Sequence, residues 1–145
     1  MKKGKLILLF LWMGVIFYFS SQNGAVSQDL SDGLLSHFYP WYSGSLPVIT
    51  FVKTYGFLFR KLAHFLEFAV LGVLLYWNAV DFFKKNALTV SCTIAVLCGI
   101  LDEVHQYFVS DRAFRLLDIM VDGAGGIAGA LFLYILMRNK KKSCL

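Results

Sequence analysis

Three long apolar stretches, residues 57–80, 87–109 and 116–137, fix the solvent in which this chain folds. Each is as long as the roughly 20-residue helix that a bilayer's hydrocarbon core requires. In lipid every backbone N–H and C=O must find its partner inside the structure, so the stretches read as helices. A shorter stretch, residues 6–21, follows Lys2, Lys3 and Lys5, a pattern shared with cleavable leaders. The segment after it, SSQNGAVS, lacks an A-x-A site, and its core carries the bulky Trp12, Phe17, Tyr18 and Phe19. It is expected to stay as a fourth helix. The expected fold is all-α: one polytopic membrane domain over residues 1–145, a bundle of four transmembrane helices.

Composition excludes the obvious alternatives. With 58% hydrophobic and only 16% charged residues, the chain has too little polar surface for a soluble domain. The net charge of +5 does not form a nucleic-acid patch, because the basic residues lie in short clusters at the ends of apolar stretches. No nucleic-acid partner is expected. Cys92, Cys98 and Cys144 match no metal or disulfide spacing and are assigned no function.

The basic clusters set orientation. Lys2, Lys3 and Lys5, then Lys84 and Lys85, then Arg138 and Lys140 to Lys142 all fall on one side of a four-span chain. That side is expected to be cytoplasmic, with both termini inside and the loops 22–56 and 110–115 outside. The outer loop carries HFYPWY (37–42), aromatics suited to headgroup level, and VSQDLSDGLLSHF, which is expected to form a short interfacial helix broken by Pro40 and Pro47.

Within that topology the unexpected polar residues gather near the outer boundary. Ser20, Ser21 and Gln22 end the first span, and Arg60, Lys61, His64 and Glu67 open the second. Asp102, Glu103, His105 and Gln106 close the third, and Arg112, Arg115, Asp118 and Asp122 open the fourth. Lys61, His64 and Glu67 follow one another at i, i+3 and read as a stripe on one face, as do Asp102 with Gln106 and Asp118 with Asp122. Ionised groups facing lipid cost several kcal/mol, so the stripes are expected to turn inward and meet in one outward-open, mixed-charge cavity. Arg60, Lys61, Arg112 and Arg115 are expected to face the acids. The competing reading is a set of ion pairs that only fixes helix register. Gly125-x-x-x-Gly129 reads as a close helix-packing signal.

Three blocks, FSSQ (19–22), RKLAHFLEF (60–68) and DEVHQYFVSDRAFRLLDIMVDGAGG (102–126), resemble the VanZ-like family of small bacterial membrane proteins. That family is named for a member associated with teicoplanin resistance. The resemblance maps the family's polar positions onto Lys61, His64, Glu67, Asp102, Glu103, Gln106, Arg112, Asp118 and Asp122. Two departures stand out: Ser110-Asp111 where Pro-Gly is common, and Arg115 where a small residue is usual. The resemblance implies a bacterial cytoplasmic membrane location and a link to glycopeptide response, with no particular reaction.

Several functional classes stay open. As an envelope enzyme, the chain would use His64, Glu67, Asp102 and Glu103 as acid–base groups. Ser21, Gln22, Lys61, Gln106, Arg112, Arg115, Asp118 and Asp122 would bind an anionic or polyprenyl-linked headgroup. No nucleophile motif and no His-rich metal set is present, so no metal ligand is assigned and no cofactor is named; the carboxylates alternatively hold a divalent ion together with phosphate. As a binder, the same pocket captures membrane lipid without chemistry. As a scaffold, it packs against an unidentified protein partner.

Overall fold

A computed structural model describes residues 2–42, 44–110 and 114–143. Five helices account for most of them: α1 (Lys2–Ser20), α2 (Gly24–Phe38), α3 (Val48–Phe83), α4 (Ala87–Tyr107) and α5 (Leu116–Ser143). No strand occurs among the described residues. Three stretches are long and apolar enough to cross a membrane: Lys3–Ser20, Val48–Tyr107 and Leu116–Lys140. The middle one, at 60 residues, is folded back on itself. A 3₁₀ turn at Lys84–Asn86, with Lys84 at φ 43°, ends α3 and starts α4. α4 then returns along α3, so Phe68 and Leu71 pack in one cluster with Ala95, and Ala79 in another with Ala87.

The long helices alternate in direction. Lys5 of α1 pairs with Asp81 near the end of α3 at 3.0 Å, whereas the indole N–H of Trp12 donates to the Glu67 carbonyl. Asn78 ties the same end by donating to the Lys5 carbonyl. α5 runs parallel to α3 and antiparallel to α4. Tyr76 meets Tyr134 edge-on at 6.0 Å, and a Cβ at Gly99 would touch the Asp122 side chain.

The α3–α5 seam depends on glycine. A Cβ on Gly129 would lie 1.8 Å from the Ala69 carbonyl oxygen, and one on Gly125 would lie 2.3 Å from that of Phe65. A Cβ on Gly72 would likewise lie 1.9 Å from the Gly126 carbonyl oxygen. No side chain fits there. The small-residue pattern expected from Gly125 and Gly129 therefore packs α5 onto α3, backbone against backbone.

Two boundaries differ from the sequence reading. α3 starts at Val48, nine residues before the expected span, because Pro47 begins it and nothing between Val48 and Phe57 breaks it. The expected surface aromatics also divide. Tyr39 and Tyr42 pack on Phe51 of this extension, with ring centroids 5.5 and 4.8 Å away, whereas Trp41 stays 87% exposed. α2 starts at Gly24, two residues before the expected stretch, capped by Asn23, whose side chain accepts from the Val26 N–H at 2.8 Å. Cys92 and Cys98 are free thiols in α4. Cys144 lies outside the described residues.

Candidate functional site

The polar residues at one end of the bundle sort into an ion-paired seam, a buried carboxylate cluster and a cavity. The seam joins α3 to α5, where the Lys61 ammonium donates to Asp118. Beside it the backbone N–H of Arg115 donates to the Glu103 carboxylate. Glu103 is thus anchored at the start of α5 although its own helix is α4.

The cluster lies deeper. Asp122 is completely buried, and neither of its carboxylate oxygens has a hydrogen-bond partner among the described residues. The His64 ring lies beside it, with Nδ1 3.7 Å from Oδ1. Asp102 is held by Gln106, whose amide donates to Oδ2 at 2.6 Å. One ligating atom from each of His64, Asp102 and Asp122 lies within 4.8 Å of the others. Glu103 Oε2 and Glu67 Oε1 are also buried without a hydrogen-bond partner. Burying a charge or hydrogen-bonding oxygen without a partner costs several kcal/mol, so this concentration is not what packing alone selects.

A cavity of about 390 Å³ opens between α1, α2 and α3. Apolar side chains line most of it, from Trp12 and Val15 of α1 through Leu30 and Leu34 of α2 to Leu66 and Val70 of α3. Its polar lining comes from Gln22, Ser27, Ser31, Arg60, His64 and Glu67. His64 borders both the cavity and the carboxylate cluster.

The geometry corrects three expectations. Lys61, His64 and Glu67 do not share a face. At 3.6 residues per turn, Glu67 lies about 120° round the helix from Lys61. Lys61 therefore meets α5, Glu67 turns to the cavity, and His64 stands between. Arg60, expected among the acids, lies on the cavity side for the same reason: it is about 100° from Lys61. Arg115 contributes its backbone N–H rather than its guanidinium. The residue is exposed, and its side chain makes no ion pair among the described residues.

The other candidates divide accordingly. Gln106 belongs to the cluster and Gln22 to the cavity. Ser21 sits at the edge, where its hydroxyl bonds the Phe17 carbonyl at 2.6 Å and contacts His105 Nε2 at 3.1 Å. Phe17 covers that ring at 4.7 Å. Arg112 lies outside the described residues. Sequence reasoning gave no place to Ser27, Ser31 or Leu34 in the site. The expectation of a short interfacial helix there was their signal, and it did not say which helix α2 would cover.

The chain matches the VanZ/LLP1 family over residues 5–138, which reach into all five helices and include every site residue named above. It belongs to the VanZ/LLP1 family. No curated protein and no solved structure matches it. In this VanZ/LLP1 chain the three blocks that carried the resemblance are distributed over different helices: FSSQ at the end of α1, RKLAHFLEF in α3, and the longest block across α4 and α5. They come together only in the fold.

Proposed function

We propose that this VanZ/LLP1 protein holds an anionic lipid, or a lipid-linked precursor of the cell envelope, in the cavity between α1, α2 and α3. On this reading the chain crosses the bacterial cytoplasmic membrane four times with both termini inside, and α2 lies along the outer interface. Occupancy of the cavity would then influence what a glycopeptide such as teicoplanin reaches.

The observation that carries the reading is Arg60 on a cavity wall that is mostly apolar. Arg60 and Val70 are ten residues apart on α3, so the cavity runs roughly 15 Å along the helix. It passes from the Arg60 guanidinium, past His64 and Glu67, toward the apolar side chains of Leu66 and Val70. An acyl or polyprenyl tail suits the apolar length, and a guanidinium suits phosphate, which it grips through two N–H groups at once. The volume lies within the range of about 300–1,000 Å³ typical of small-molecule sites.

The scaffold reading draws support from the Lys61–Asp118 pair, which ties α3 to α5 without a ligand. It accounts less well for the buried, unpartnered oxygens of Asp122 and Glu67. A cluster whose only task is to fix register is satisfied internally.

Native mass spectrometry of the purified protein with matched phosphatidylglycerol and phosphatidylcholine tests the reading. The unaltered chain should retain phosphatidylglycerol preferentially, and Arg60→Ala should remove most of that preference. Equal retention of the two lipids by the unaltered chain overturns it.

A further inference from the structure

The geometry points to a divalent-cation site, of the zinc and cobalt class, formed by His64 of α3, Asp102 of α4 and Asp122 of α5. This inference goes beyond the lipid reading and stands without it. The three residues lie on different helices and each offers one donor atom, with all three atoms within 4.8 Å of one another. Ligands around a tetrahedral ion with bonds of about 2.0–2.1 Å lie roughly 3.3–3.4 Å apart. His64 Nδ1 and Asp122 Oδ1, at 3.7 Å, are nearly there. Side-chain rotation would bring Asp102 in from within 4.8 Å.

Two further observations point to a ligand rather than to mere crowding of acids. Asp122 is fully buried, and among the described residues no donor reaches either of its oxygens. Gln106 donates to Oδ2 of Asp102 at 2.6 Å, which orients that carboxylate and leaves Oδ1 for the ion. Partners of this kind commonly fix metal ligands in place. Lys61 is already engaged by Asp118. One imidazole with two carboxylates is a mixed nitrogen and oxygen set, which favours a borderline ion over calcium or magnesium. Three protein ligands also leave a position open for water or a ligand. Because His64 lines the cavity, that position is adjacent to whatever the cavity holds.

The test loads the full-length purified protein with cobalt(II) alone and follows its visible ligand-field absorption. A saturable band at one cobalt per chain is expected, abolished in Asp122→Asn and in Asp102→Asn. Gln106→Ala, which frees Asp102, should weaken cobalt binding by about 10–100-fold. Asp29→Asn, on the exposed side of α2, should leave it unchanged. X-ray absorption of the cobalt-loaded unaltered chain reads the histidine directly, so the test does not depend on any variant folding. A single imidazole among oxygen donors is the expected first shell. Absence of a saturable band in the unaltered chain overturns the site. So does a band that survives in folded Asp122→Asn, or a first shell without nitrogen.

Discussion

Replacing Gly129 by alanine should loosen the contact between α3 and α5. The added Cβ would stand 1.8 Å from the Ala69 carbonyl oxygen, whereas ordinary contact begins at 3.4 Å. The obstacle is backbone, so no side chain can swing aside, and the two helices must separate by about 1.5 Å. Overpacking of this kind costs about 1–3 kcal/mol, and here the upper end applies because Gly125 and Gly72 lock the same seam. A change of ~1.4 kcal/mol is tenfold in the folding equilibrium, so the shift is readable by SDS titration followed by circular dichroism. Gly14→Ala is the matched control. Nothing lies within 4 Å of its added Cβ, and alanine exceeds glycine as a helix former by about 1 kcal/mol. The two substitutions should therefore move stability in opposite directions. Equal behaviour of Gly129→Ala and Gly14→Ala would refute the backbone seam.

Two other predictions follow from the site and the basic clusters. Lys61→Met leaves Asp118 without its cation; the cost should fall between the ~1 kcal/mol of an exposed pair and the ~3–5 kcal/mol of a buried one. Adding Asp118→Asn should recover part of it, and strict additivity of the two losses in a double-mutant cycle would mean that the pair is not coupled. Reporter fusions after Gly24 and Ser110 should read outside and those after Lys85 and Lys142 inside, an outside reading at Lys85 reversing the orientation.

Much of the fold was legible because its signals are local. Chain length in lipid fixed the helices, and Gly125 with Gly129 marked their closest approach in advance. Local signals also misled. The i, i+3 spacing of Lys61, His64 and Glu67 looked like one stripe, but the drift of an α-helix away from that spacing spreads them over a third of the circumference. Lys61 thus belongs to α5 and Glu67 to the cavity. The grouping of His64, Asp102 and Asp122 was not readable, because no spacing links three helices until their packing is known. Nor was the cavity. It exists because α2 folds back over α1 and α3, and neither Leu34 nor Arg60 announces that contact by its position in the chain. The early start of α3 at Val48 has a simpler cause. The span was expected to be only about as long as a bilayer is thick, whereas α3 runs 36 residues, from Val48 to Phe83.

The claim that the cavity receives a lipid tail is tested most directly by photo-crosslinking in reconstituted vesicles. Phosphatidylglycerol with a diazirine on its acyl chain would be irradiated with the unaltered protein and with Ala63→Trp, which fills the cavity from its α3 wall. Adducts mapped by peptide mass spectrometry should concentrate on the cavity walls, at residues such as Trp12, Leu34, Leu66 and Val70, and should fall sharply in Ala63→Trp. Labelling of the exposed outer faces of α4 and α5 should be the same in both proteins. Adducts at the cavity residues that are no more frequent than on those outer faces, or that persist undiminished in Ala63→Trp, would contradict the account.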